Sequence, residues 1–257
     1  MVDFLRLVRR KSLLSDILYY ALNIGLVIVL FILSQTIQSP VLAIGLVLIS
    51  KWRVLAVRPR YWWTNIQANT VDIIVGLSVV SLMYLPDASF LFQAMLSVFY
   101  GVWLLVIKPL SKRHHMLLQA FVAVALGVAA LFAMCYEWPV IIVVLGMALI
   151  GYGAARHFLY SHEEDQIVLL SGIWGLLFAE LGWLAYYWTF AYTLPFLTSM
   201  KIPQVMLIAL LMCFMGERLY RSWEKHKQIV VGEVILPVVF SVMIIGVMVL
   251  FFNSVTI

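Results

Sequence analysis

Runs of apolar residues alternate with short polar connections along the whole chain, and most of the runs are long enough to form one helix across a lipid bilayer. Nine runs are distinguished: residues 14–34, 39–57, 69–86, 89–108, 115–135, 138–156, 166–190, 203–220 and 230–252. A helix of about 20 residues, rising about 1.5 Å per residue, matches the roughly 30 Å hydrocarbon core of a membrane. The pattern therefore predicts an all-α, polytopic transmembrane helix bundle of about nine spans, forming a single integral membrane domain over residues 1–257.

The composition indicates lipid rather than water as the solvent of this chain. Hydrophobic residues make up 65% of its 257 residues and charged residues only 11%, whereas soluble domains have about 45–50% apolar and about 25% charged residues. A soluble fold of this length keeps much of its area in water and cannot bury so much apolar surface.

The basic residues are sorted to one side of the predicted spans. Sixteen of the 17 lysines and arginines fall in or beside connections on that side, and only Lys201 falls on the other. Because basic loops face the cytoplasm, we expect an N-in/C-out protein of the cytoplasmic (plasma) membrane. The net charge of +5 comes from these short loops, so we expect no nucleic-acid partner. The expected partners are bilayer lipids, with anionic headgroups at the cytoplasmic face, and a protein partner that the sequence does not specify.

The second run is the shortest and allows two interpretations. Only residues 40–50 are apolar before Lys51 and Arg53. A re-entrant loop would invert every later connection and contradict the charge distribution. The preferred interpretation is a helix that continues to about Val57, with Lys51 and Arg53 extending to the inner headgroups.

The segment after the second run is dense in residues that favour the membrane interface. Arg58, Arg60, Trp62 and Trp63 lie within six positions. Tryptophan favours the headgroup level, and arginine favours anionic lipid there. We expect these four residues to form a lipid-interface anchor; the alternative is a docking site for a partner.

Glu180 is the strongest candidate for a polar site inside the membrane. It lies near the middle of the seventh run, where a carboxylate costs roughly 2.5–3.5 kcal/mol. We expect it to face the protein interior beside neutral partners, of which Asn23 and Tyr100 are included with it in a candidate intramembrane binding site. Ser78 and Ser241 are further candidate partners. A satisfied interhelical hydrogen bond without a function is the alternative.

Small residues recur at a spacing of four in three of the runs. They are Ser171, Gly175 and Ala179 in the seventh run, Gly151 and Ala155 in the sixth, and Ala125 and Ala129 in the fifth. Small residues at this spacing allow helices to approach closely. We expect Glu180 to lie on a tightly packed helix.

No catalytic, metal-binding or cofactor-binding motif is complete in this sequence. His157, His162 and the acidic residues 163–165 are metal-ligand types. However, a spacing of five does not place both histidines on one helix face. We assign no catalytic residue, no metal ligand and no cofactor, and leave the question of an enzyme open while favouring a protein without catalytic activity.

Three functions remain open at this point. The span count and Glu180 favour a permease-like transporter for small solutes or protons, or the membrane subunit of one. The bare composition and small loops are compatible with a non-catalytic membrane scaffold. A membrane-embedded enzyme acting on lipid or peptide would require the histidines and carboxylates to converge.

Overall fold

The computed structural model describes residues 2–54, 56, 58–135, 137–188, 190–194 and 197–252, with side chains from residue 15 onward except at 53 and 194–200. Ten α-helices occur within these ranges. They are α1 (Val2–Thr36), α2 (Val41–Ser50), α3 (Trp62–Ala68), α4 (Thr70–Met83), α5 (Phe90–Val102), α6 (Arg113–Met134), α7 (Val140–Tyr160), α8 (Ile167–Tyr187), α9 (Gln204–His226) and α10 (Val231–Phe251). Strands β1 (Ala191–Leu194) and β2 (Leu197–Pro203) form an antiparallel hairpin between α8 and α9.

The structure is that of a multi-pass helical membrane protein. Six helical segments are long and apolar enough to cross a bilayer, and the number rises to seven if α3 and α4, which are bent by 63° at Asn69, act as one span. Each of the nine predicted runs contains a helix, but α2 has only 10 residues. The second half of α9 carries Glu217, Arg218 and Arg221. Length and composition therefore support the all-α bundle without establishing nine crossings.

The prediction for the second run is wrong in its extent. Helix α2 ends at Ser50 and is followed by short 3-10 turns at Trp52–Val54 and Pro59–Tyr61; Val57 lies outside the described residues. Lys51 does not extend to the headgroups. Its side chain is only 9% exposed, because it turns inward to pair with Asp72.

Helices α7 and α8 pack closely through small residues, as the sequence predicts. A Cβ atom added to Gly151 would lie 2.5 Å from Cγ of Phe178, and one added to Gly182 would lie 2.6 Å from Cγ of Met147. Gly175 faces the backbone of α7 in the same way. Any larger residue at these positions would force the two helices apart.

Ion pairs between residues at the ends of different helices bring several basic residues together at one end of the bundle. Lys51, Lys108 and Arg113 lie at one end, which we call the basic end, where Lys51 and Lys108 meet Asp72 and Arg113 pairs with Glu224. The opposite end holds the β-hairpin. Three of the basic residues that the sequence assigns to one side therefore lie at one end of the bundle.

Candidate functional site

A buried ion cluster lies at the basic end, where α2, α4 and the end of α5 converge. The Asp72 carboxylate, in the first turn of α4, accepts from Nζ of Lys51 at 2.6 Å and from Nζ of Lys108 at 2.7 Å. Nε1 of Trp103 donates to its other oxygen at 3.1 Å. Asp72 and Lys51 are buried, whereas the Lys108 side chain is 34% exposed. Two ammonium groups against one carboxylate give the cluster a formal charge of +1.

Local backbone geometry brings these groups together. Lys51 caps the C-terminal end of α2, which places its side chain beside the start of α4. After Val102 the helix widens into a π-turn over Trp103–Ile107, in which the Lys108 amide donates to the Trp103 carbonyl at 2.8 Å. Such turns are rare and occur frequently at functional sites. Burial lowers the pKa of the Lys51 ammonium, and the Asp72 carboxylate opposes that shift.

Tyr100 packs one helical turn along α4 from this cluster. Its side chain is fully buried, and its hydroxyl has no hydrogen-bond partner among the described residues. A Cβ atom added to Gly76 would lie 2.9 Å from that hydroxyl oxygen and 2.9 Å from Cγ1 of Val47. Gly76 therefore makes the space that the tyrosine hydroxyl occupies.

The structure does not bring Glu180, Asn23 and Tyr100 together. Glu180 is exposed on the outer surface of α8, contrary to the expectation that it faces the interior, because the small residues of that helix occupy the opposite face. Nδ2 of Asn23 donates to the carbonyl of Tyr19 in its own helix at 2.8 Å. Tyr100 lies close enough to Asp72 to feel its charge.

Sequence reasoning missed the ion cluster. Lys51 was interpreted as a headgroup contact, and no partner was assigned to Asp72. The available signal was an acidic residue near one end of an apolar run and two lysines near the ends of two others, all on the side that the charge count assigns to the basic loops.

The predicted interface residues lie on the surface at the basic end. Arg58, Arg60, Trp62 and Trp63 are all exposed. The Arg60 guanidinium lies 4.6 Å above the ring of Tyr61. Helix α3, which begins at Trp62, leaves the axis of α4 at 63°, a geometry in which a short helix can lie along a membrane surface.

The histidines and carboxylates of interest lie in the last turn of α7 and in the connection from α7 to α8. Within the described residues there is no group of three or more histidine, cysteine or acidic side chains that could hold a metal ion. Nε2 of His157 lies 2.7 Å from the Gln119 side-chain oxygen, and Nε2 of His162 lies 3.7 Å from the Glu224 carboxylate. The two rings therefore serve separate contacts.

An apolar cavity of about 260 Å³ opens between α6, α7, α8 and α9. Its wall includes Phe121, Ala155 and Trp174, and its only polar side chains at the basic end are Glu217 and Tyr220. A second apolar groove, of about 310 Å³, lies between α1 and α5. Asp72 and Glu180 line neither of these two cavities.

Comparison with known proteins adds no assignment to this geometry. No family model, curated protein or solved structure matches the chain.

Proposed function

We propose that this protein is a non-catalytic interaction subunit of a membrane complex, and that the outward face of α8 around Glu180 is its contact surface. Glu180 lies three residues from the middle of Ile167–Tyr187, or about 5 Å along the helix axis. A carboxylate at that depth costs roughly 2.5–3.5 kcal/mol when it faces lipid. A partner helix that supplies a hydrogen-bond donor or a cation at the same depth offsets that cost.

The surroundings of Glu180 favour a membrane-embedded partner. Leu176, Trp183 and Leu184 on the same face are more than half exposed. No side chain that the structure describes forms a hydrogen bond or ion pair with Glu180. Glu180 is therefore the one charged side chain that this face of α8 offers to a neighbour.

The partner that fits is a transmembrane helix of another protein with a basic or amide side chain at the depth of Glu180. A second copy of this chain is a poorer match. Its lysines and arginines lie near the ends of its helices or between them, so it has no cation at that depth. A symmetric contact would also place two Glu180 carboxylates together, and like charges repel.

Site-specific photocrosslinking in cells tests this proposal. A photoreactive residue at Leu176 should give an adduct with a distinct protein, and the same residue at Leu145, on the exposed face of α7, serves as the control. The adduct should weaken in Glu180→Gln, which keeps a polar side chain, and disappear in Glu180→Leu. An adduct that survives Glu180→Leu, or that consists only of two copies of this chain, would contradict the proposal.

A permease-like transporter for small solutes or protons is the second candidate, and the ion cluster is the observation that favours it. Ionisable side chains buried in membrane proteins are commonly part of ion or proton pathways, and here they adjoin a π-turn and the buried Tyr100 hydroxyl. Against it, the two cavities are apolar and Asp72 does not line them.

Proton flux into proteoliposomes separates the two candidates. A transporter that uses the cluster should dissipate an imposed pH gradient, and Asp72→Asn should abolish that flux. An interaction subunit should leave the gradient intact in both forms.

We also propose that the chain crosses the cytoplasmic (plasma) membrane nine times, with its N-terminal side and the basic end in the cytoplasm. The sorting of arginine and lysine supports this orientation. Arg58, Arg60, Trp62 and Trp63 would then lie among the inner headgroups, where arginine is attracted to anionic lipid.

A further inference from the structure

The cavity between α6, α7, α8 and α9 exists because α8 and α9 pack against different neighbours. Helix α8 is held against α7 by its glycines, whereas α9 packs mainly on α6 and α10. At the place where α8 and α9 do approach, Gly216 admits the Trp174 ring; a Cβ atom there would lie 2.7 Å from Cη2 of Trp174. The remaining gap forms the cavity, which is open to the outside of the bundle.

The dimensions and lining of the cavity match a hydrocarbon chain. Along α9 it extends from Cys213 to Tyr220, which is about 10 Å of helix and fits within the roughly 15 Å of hydrocarbon in one leaflet. Apolar and aromatic side chains form nearly all of its wall. An apolar slot that opens to a bilayer is favourable for an acyl chain, because water would gain no polar partners there.

The two polar lining residues of the cavity, Glu217 and Tyr220, contact charged side chains of both signs. The buried Glu217 carboxylate contacts Nε of Arg218 at 3.3 Å and also Nε of Arg221, and both arginines are nearly half exposed. A guanidinium has five N–H donors, so each retains donors for a further anion. Beside them, the Tyr220 hydroxyl donates to Oε2 of Glu164 at 2.7 Å. A carboxylate accepts more than one hydrogen bond, so Glu164 can take another donor.

We propose that this cavity binds one inner-leaflet phospholipid with a primary-amine headgroup. The acyl chain occupies the apolar slot, the phosphate lies against Arg218 and Arg221, and the ammonium group donates to Glu164. The mixed charges around Glu217 and Tyr220 favour such a zwitterionic lipid over an anionic one, because Glu164 and its sequence neighbours Glu163 and Asp165 would repel a headgroup that lacks a cation. The site does not depend on any partner at Glu180.

Native mass spectrometry of the full chain in detergent, titrated with lipids of identical acyl chains, tests the headgroup. Phosphatidylethanolamine should bind about tenfold more tightly than phosphatidylcholine, because a trimethylated ammonium has no N–H to donate. Phosphatidylglycerol should also bind more weakly than phosphatidylethanolamine. Equal affinity for phosphatidylethanolamine and phosphatidylcholine, or the tightest binding for phosphatidylglycerol, would overturn the headgroup assignment.

Three variants test the location. Glu164→Gln keeps an acceptor for Tyr220 and should remove most of the preference for ethanolamine over choline. Ala155→Phe projects a ring into the slot and should weaken binding of every lipid. Lys112→Gln, an exposed side chain beside Arg113 at the basic end that does not line the cavity, is the matched control and should bind as the parent does. Unchanged lipid binding in Ala155→Phe, with an unchanged thermal unfolding midpoint in detergent, would show that the lipid sits elsewhere.

Discussion

Asp72 is the residue on which the largest electrostatic effect depends. We predict that Asp72→Leu lowers the free energy of unfolding by about 3–5 kcal/mol, because it leaves the buried Lys51 ammonium without its counter-ion. The midpoint of thermal unfolding in detergent measures the effect. Lys108→Met should cost about 1 kcal/mol or less, since the Lys108 side chain is 34% exposed.

The double variant Asp72→Leu/Lys51→Met provides the control. Replacing both members of a buried ion pair by apolar side chains is often neutral. The double variant should therefore recover much of the stability that Asp72→Leu loses. If it is no more stable than Asp72→Leu, the loss comes from packing around Asp72 and not from the uncompensated charge.

Gly76 and Tyr100 form a second coupled pair at the level of single residues. Gly76→Ala should destabilise the protein by about 1–3 kcal/mol, because its Cβ would overlap the Tyr100 hydroxyl and Val47. Tyr100→Phe alone should be neutral or stabilising, because it removes a buried hydroxyl that has no hydrogen bond among the described residues.

Combining the two changes measures their coupling. Tyr100→Phe should recover part of the loss caused by Gly76→Ala, and not all of it, because the contact with Val47 remains. Thermal unfolding of the two single variants and the double variant gives the coupling free energy. Strict additivity would mean that the hydroxyl does not limit the space at Gly76.

At the level of helices, the contact between α7 and α8 depends on glycine at particular positions. Gly151→Ala should cost about 1–3 kcal/mol through the clash with Phe178. Gly172→Ala is the matched control on α8, since nothing lies within 4 Å of its added Cβ. That change should stabilise the helix by up to about 1 kcal/mol. Equal effects of the two variants in thermal unfolding would contradict close packing at Gly151.

Helix α8 shows which local features the sequence predicts and which it does not. Spacing alone identifies the small residues of α8 as a packing face. The same spacing explains why Glu180 faces outward. At about 100° per residue, Glu180 lies roughly 140–160° around the helix from Gly175 and Gly182. The cost of exposing a carboxylate to lipid led to the expectation that Glu180 turns inward. The structure instead follows the helical geometry, and Glu180 is exposed.

Long-range contacts were beyond sequence reasoning for a different reason. Lys51 and Lys108 lie 21 and 36 residues from Asp72, and a single sequence contains no signal for which charged residues pair across such distances. The Glu217–Arg221 pair was predictable because its members lie four residues apart on one helix. Helix positions follow from apolar runs, whereas the depth to which each helix crosses depends on its turns and bends.

At the scale of the whole molecule, helices α2 and α4 are short compared with the thickness of a bilayer. Helix α2 has 10 residues and α4 has 14, which correspond to about 15 Å and 21 Å. Both are shorter than the roughly 30 Å hydrocarbon core. If α2 crosses the membrane, the bilayer must thin beside it or polar residues must extend to the interface.

Cysteine labelling in intact cells tests this crossing and the orientation together. In a background with both native cysteines replaced, cysteines introduced at Ser39 and Glu137 should react with a membrane-impermeant maleimide added outside. Those introduced at Arg58 and Lys112 should react only after lysis. All four positions are exposed, so a missing reaction reflects the membrane and not burial in the protein. Labelling of Lys112→Cys in intact cells would contradict the proposal that the basic end lies in the cytoplasm. Labelling of Ser39→Cys and Arg58→Cys from the same side would make α2 a re-entrant helix that returns to the surface it entered.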